Sequence, residues 1–165
     1  MLTDREKFKD IILAIARKLR FRPVIVEKDY YLTVILNNIE TYLSDKIVFK
    51  GGTLLNKAHL NYHRLSEDLD FTYYAPLTTR SQRSTDVSKT NGYAIFDGSS
   101  VSIIKRNVSK AITPIRGKMP DFLKALKLSS DKPEGEGFNN SKQYVFKVKY
   151  PSVLMAKYDI IKIEI

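Results

Sequence analysis

The chain contains no cysteine, and that absence removes disulfides, thiolate nucleophiles and cysteine-ligated zinc together. Histidine is nearly missing as well. His59 and His63 are the only two, and with no third nitrogen or sulfur ligand in view they read as surface or satisfied side chains. No run of about 18 apolar residues occurs, so no membrane-spanning helix is expected. The opening residues, Met1-Leu2-Thr3-Asp4-Arg5-Glu6, include acids and lack the apolar core of a secretory signal. The expected location is the cytoplasm. Acids are also in short supply: 18 Asp and Glu face 28 Lys and Arg, a net charge of +10. An excess of that size favours association with polyanions, of which RNA is the obvious one. The bland alternative is a lysine-rich surface with no partner.

What is present suits a single domain of 165 residues with an ordinary core. Phe8, Ile11, Ile12, Ile15 and Leu19 recur at helical spacing and predict a first amphipathic helix with those five residues on its buried stripe. Phe21-Arg22-Pro23 interrupts it, because proline lacks the N–H and clashes with a preceding turn. A second helix follows, with Leu32, Ile35, Leu36, Ile39 and Leu43 on its apolar side. From 76 to 100 the chain is polar, with a turn at Ile95-Phe96-Asp97-Gly98. Helical spacing returns over 101–113 and is disturbed by Pro114, and Lys132 to Gly137 reads as a loop from its Pro and Gly content. Tyr144–Tyr150 alternates at period two, Pro151-Ser152 turns it, and Asp159–Ile165 forms a last strand. The order predicts an α/β (α+β mixed) fold, a mixed sheet with flanking helices and an N-terminal helical pair. We divide it as N-terminal helices over 1–44 and a core over 45–165.

The chemistry concentrates in two pieces. Ile47-Val48-Phe49 is a short β-branched run leading into Lys50-Gly51-Gly52-Thr53, after which Leu54, Leu55 and Ala58 take helical spacing. The unit is strand, Gly-Gly turn, helix. Backbone N–H groups at such a helix start favour an anion, so Gly51, Gly52 and Thr53 are candidates for holding a phosphate, with Thr53 as hydroxyl contact or N-cap. Lys57 lies one helical turn beyond Thr53 and is a candidate for the same anion. The second piece is Ser66-Glu67-Asp68-Leu69-Asp70-Phe71. Alternation puts Asp68, Asp70 and Thr72 on one face and Leu69, Phe71 and Tyr73 on the other. Two carboxylates sharing a face repel unless a cation lies between them, and divalent metals serve that purpose. Arg64 and Ser66, just ahead of the strand, are further candidates for phosphate contact. A phosphate cradle beside a metal site describes an enzyme acting on a nucleoside triphosphate. Lys105 to Lys127 holds seven bases (Lys105, Arg106, Lys110, Arg116, Lys118, Lys124 and Lys127) against Asp121 alone, a candidate track for an RNA backbone.

Together these pieces resemble the nucleotidyltransferases of the DNA polymerase β superfamily, whose signature is strand, Gly-Gly or Gly-Ser, short helix, then an Asp-x-Asp strand. More closely, Glu27-Lys28-Asp29-Tyr30-Tyr31, Phe49-Lys50-Gly51-Gly52-Thr53 with Lys57, and Arg64 to Phe71 resemble the AbiEii/AbiGii toxin family. The order of the motifs and the 15 residues between Gly52 and Asp68 make the combination specific. The close resemblance spans about 24–75 and returns at Asp159–Ile165, where the family places its third acidic residue, here Glu164.

The resemblance implies a nucleotidyltransferase fold and a toxin that moves a nucleotide from an NTP onto RNA, notably a tRNA 3′ end. It further implies Mg²⁺ (or Mn²⁺) held by Asp68, Asp70 and Glu164, and a cognate antitoxin. Family members continue past the third acidic strand into a helical half carrying further basic and acidic residues, whereas this sequence stops one residue after Glu164. The expectation is a core truncated at its C-terminus. Two other functions fit the same pieces: transfer of a nucleotide to a small hydroxylated molecule such as an antibiotic, or an inactive module binding RNA or a partner. For Glu27, Lys28 and Asp29 we expect an ion-pair network holding the second helix.

Overall fold

The structure, a computed structural model, describes residues 4–43, 47–58, 65, 67–73, 101–130, 136–140, 143–155 and 159–165. Arg64, Ser66, both histidines and the polar stretch from 76 to 100 lie outside the described residues. Helix α1 covers Arg5–Leu19 and begins at Asp4, whose side chain accepts from the Lys7 N–H at 3.1 Å. It ends at Arg20, which adopts the left-handed conformation at φ 58°. Pro23 then occupies the first turn of α2, Pro23–Tyr42, where its missing N–H costs nothing.

The buried seam of α1 is narrower than its apolar spacing predicts. Phe8, Ile12 and Ala16 are buried, while Ile11, Ile15 and Leu19 are 36%, 38% and 51% exposed. The seam follows the four-residue row that faces α2, where Phe8 packs against Tyr30 at 4.7 Å and Tyr31 at 6.2 Å between ring centroids. Helix α2 is buried more widely, through Val26, Tyr31, Leu32, Ile35 and Ile39, with Leu43 just beyond it.

Strand β1 (Ile47–Lys50) runs directly into α3 (Gly51–Ala58), and β2 follows at Asp68–Tyr73. Helix α4 spans Val101–Ala125 and continues through Pro114 and Pro120, so the expected break at Pro114 does not occur. Its stripe of Ile112, Ile115, Met119, Phe122 and Leu123 is buried, and packing of that stripe outweighs two missing N–H groups. Three strands then precede the last: β3 (Ser129–Ser130), β4 (Glu136–Asn140) and β5 (Gln143–Tyr150). The expected loop ending at Gly137 therefore gives way to a strand from Glu136. The closing strand β6 is Asp159–Glu164.

The six strands form one mixed sheet in the order β1-β2-β6-β5-β3, with β4 also paired to β5. Only the β2–β6 contact is parallel among the pairs described. Leu69, Phe71, Phe146, Val148, Tyr150, Ile161 and Ile163 line one face and join α1, α2 and α4 in a single core. Burying each large apolar side chain contributes roughly 1.5–3 kcal/mol, so this face is the one the helices cover. The opposite face carries the alternate residues, among them Lys50, Asp68, Asp70, Lys147, Lys162 and Glu164. No helix among the described residues is long and apolar enough to cross a membrane.

Candidate active site on the open face of the sheet

Asp70 and Glu164 are direct partners across the parallel β2–β6 pair, and Asp68 is opposite Lys162. Paired residues on neighbouring strands share a face about 4.8 Å apart, so the pleat brings the two acids side by side with Asp68 two residues along. Ile161 and Ile163 hold β6 from the covered face at 0% exposure, and a slip of one residue would turn Glu164 into the core. Among the described residues none of the three carboxylates has an ion-pair partner. The nearest bases on the sheet are Lys50, paired with Asp70 across β1–β2, and Lys162.

The Gly-Gly turn lies against this acidic patch. Gly51 has φ 79°, and a Cβ built there would overlap Asp70 Oδ2 and stand 3.0 Å from Asp70 Cβ and Cγ. Only glycine both adopts that backbone conformation easily and leaves the carboxylate its place. Gly52 has open space on its Cβ side. Thr53 is 1% exposed, and its hydroxyl donates to the Asp68 carbonyl at 2.6 Å. That hydroxyl is turned inward, tying α3 to β2, and it is neither an N-cap nor aimed at solvent. Lys57 is also engaged: its ammonium donates to Asp29 Oδ1 at 2.7 Å and Thr33 Oγ1 at 2.9 Å.

The donor set is all oxygen, which suits a hard cation such as Mg²⁺. Among the described residues no group of three or more His, Cys, Asp or Glu side chains is placed to hold a metal ion by itself. Magnesium does not require one, because it keeps several waters and is held through one or two carboxylates plus substrate phosphates. The paired Asp70 and Glu164 would suit it on that basis, with Asp68 two residues along β2.

The basic segment of α4 is in another layer. Lys105 and Arg106 belong to the first turns of α4, and their side chains lie outside the described set. Lys110, Arg116, Lys118 and Lys124 are exposed, but α4 packs on the covered face, away from the carboxylates. Arg116 sits over the Tyr144 ring at 5.3 Å, and Lys118 donates to the Leu43 carbonyl at the end of α2 at 3.2 Å. Among the described residues, Lys50, Lys147, Lys149 and Lys162 share a face with the acids. Reading the 105–127 segment as the densest run of charge missed them, although the alternation of β1, β5 and β6 displays each.

The motif at the start of α2 is resolved into three contacts. Lys28 pairs with Glu67 at 3.2 Å and Asp29 with Lys57 at 2.7 Å, as expected of an ion-pair network. Glu27 differs. It is fully buried and accepts from the Ser152 hydroxyl at 2.7 Å and the Val153 N–H at 2.6 Å.

A strand, a Gly-Gly turn and a helix set against carboxylates from two neighbouring strands form the arrangement of a nucleotidyltransferase. The family model for the nucleotidyl transferase AbiEii toxin of type IV toxin–antitoxin systems matches residues 35–165. The chain belongs to that family. The match begins inside α2, so the Glu27–Tyr31 motif precedes it, while both pieces of the candidate site and β6 fall within it. Membership implies an antitoxin partner. No curated protein and no solved structure matches the chain.

Proposed function

We propose that this chain transfers a nucleotide from an NTP to an RNA hydroxyl, with Mg²⁺ or Mn²⁺ bound by Asp68, Asp70 and Glu164. The observation that carries the reading is the β2–β6 register, which pairs Asp70 with Glu164 beside the Gly51 turn. In the reaction the acceptor oxygen bonds to the α-phosphorus, the bond from that phosphorus to the bridging oxygen breaks, and pyrophosphate leaves. The hydroxyl proton passes to water. A bound divalent cation would supply charge neutralisation at the triphosphate and the attacking oxygen. The chain's own residues position: the carboxylates fix the cation, and the backbone of Gly51, Gly52 and Thr53 presents the start of α3 to the phosphates. Such transfers need orientation and charge compensation more than covalent chemistry from the protein.

For the acceptor, Lys50, Lys147 and Lys162 put positive charge on the face that holds the acids, which favours a polyanion over a small neutral molecule. A tRNA 3′ end fits as a single-stranded polyanion with a terminal hydroxyl. Label transfer from each of four α-labelled NTPs onto total RNA, with wild type beside Asp70→Asn, tests the reading. Labelled RNA that disappears with Asp70→Asn is expected. Label on neither would reject transfer by this chain, and label on small molecules alone would reject RNA as acceptor.

A further inference from the structure

The tripeptide Glu27-Lys28-Asp29 does no chemistry, precedes the stretch that the family model matches, and yet touches every segment that builds the candidate site. We propose that it is a positioning clamp, each side chain holding one of those segments in place. Consecutive helical residues project about 100° apart, so three neighbours on α2 are able to grip three different parts of the chain.

Glu27 grips the turn between β5 and β6. Its carboxylate takes the Ser152 hydroxyl and the Val153 N–H, and the same Ser152 oxygen accepts from the N–H groups of Leu154 at 3.1 Å and Met155 at 2.9 Å. Arg5 donates to the Ser152 carbonyl at 2.8 Å and Tyr31 to the Pro151 carbonyl at 3.0 Å. A turn held by three residues from outside it, Glu27, Arg5 and Tyr31, sets where β6 begins, and the start of β6 sets which of its residues meets Asp70. Lys28 grips Glu67 at 3.2 Å, one residue ahead of Asp68. Asp29 grips Lys57 at 2.7 Å, on the helix whose first residue, Gly51, lies against Asp70. Glu67 is 61% exposed, and an exposed pair of this kind adds little to global stability. Its placement beside Asp68 is what gives it a use.

The clamp rests on the reading of Asp68, Asp70 and Glu164 as a cation site, and charge makes the two separable. Lys28→Met and Lys57→Met each remove a positive charge near that site, so simple Coulomb attraction predicts tighter cation binding. A lost clamp predicts the reverse. Titrating the full chain with Mn²⁺ alone, without turnover, should show roughly tenfold weaker binding for each variant, the usual scale for residues that orient metal ligands. Lys28→Arg, which keeps the pair, should restore it. Unchanged or tighter binding by Lys28→Met would overturn the clamp.

Should wild type and Asp70→Asn bind Mn²⁺ alike, the cation reading fails, and amide hydrogen exchange decides the clamp by itself. Faster exchange confined to Asp68–Tyr73 in Lys28→Met, to Gly51–Ala58 in Lys57→Met and to Asp159–Glu164 in Glu27→Gln supports it. Uniform acceleration, or none, rejects it.

Discussion

Gly51 is the residue on which the site turns, because its left-handed backbone and its missing side chain are both required. In Gly51→Ala the backbone strain costs about 1–3 kcal/mol, and the new methyl must displace the Asp70 carboxylate. Denaturant unfolding should show that loss. Gly52→Ala meets nothing within 4 Å, and alanine within a helix is favoured over glycine by about 0.5–1 kcal/mol, so it should be neutral or stabilising. Equal stability of the two variants would mean that the turn does not have this conformation.

Alkaline pH probes a second set of single residues. Burial, and then the negative charge of Glu27, push Tyr31 from the ordinary value of 10.0 up to about 12. Tyr150 is raised too, by burial and by donating to Asp159 Oδ2 at 2.9 Å. The folded chain thus keeps protons that the unfolded chain releases. The stabilisation is complete below pH about 10 and falls as pH rises, for Tyr31 across the interval to about 12. Thermal melts between pH 9 and about 12 should show this decline in wild type, and Tyr31→Phe should make it shallower. An identical slope would remove Tyr31 as its source. Asp68, Asp70 and Gly51 are legible in the sequence because strand alternation and a Gly pair are local signals. The inward turn of Thr53 and the capture of Lys57 are not, since their partners, the Asp68 carbonyl and Asp29, lie 15 and 28 residues away.

At the scale of elements, the strands that carry the site announce themselves and their neighbours do not. β2 alternates apolar and polar residues throughout, and β5 and β6 do so apart from Val145 and Ile160, which is what a half-buried strand must do. β3 has two residues, and β4 carries Gly137 near its start. Pairing with β5 makes them strands, and that partner lies outside any local window. Helix α4 shows the converse, because Pro114, Gly117 and Pro120 sit within one stretch that nevertheless stays helical. Both prolines are exposed, so the carbonyls they strand, at Lys110 and Arg116, are on the solvated side. Replacing Pro120 by alanine restores one backbone hydrogen bond and removes a steric conflict. The gain should be about 2 kcal/mol, the helix preference of about 3 kcal/mol for alanine over proline less the greater freedom of the unfolded chain. Chemical denaturation measures it directly. A loss instead would show that α4 depends on a proline-bent axis to seat Met119 and Phe122 in the core.

Among the described residues the sheet has one face covered by helices and the candidate site on the other, and the charge divides between the two sides. Sequence alone placed the RNA on the 105–127 segment because seven bases fall there in a row. Topology separates that segment from the carboxylates by the thickness of the sheet and core. If the proposed transfer holds, an acceptor hydroxyl reaches the Asp70–Glu164 pair, and the strand leading up to it would cross this face past Lys147 and Lys162, which are exposed and paired to each other across β5–β6. Each phosphate contact on a single strand contributes about 0.7 to the slope of log affinity against log salt. The double variant Lys147→Ala, Lys162→Ala should therefore bind a single-stranded RNA with its salt slope reduced by about 1.4. Lys110→Ala, Lys124→Ala removes the same charge from the outer side of α4 and should leave the slope close to wild type. Equal net charge in the two variants makes the comparison one of place alone. If the α4 pair lowers the slope and the sheet pair does not, the RNA runs over the helix, and its reacting end must then fold around the sheet edge to reach the acids.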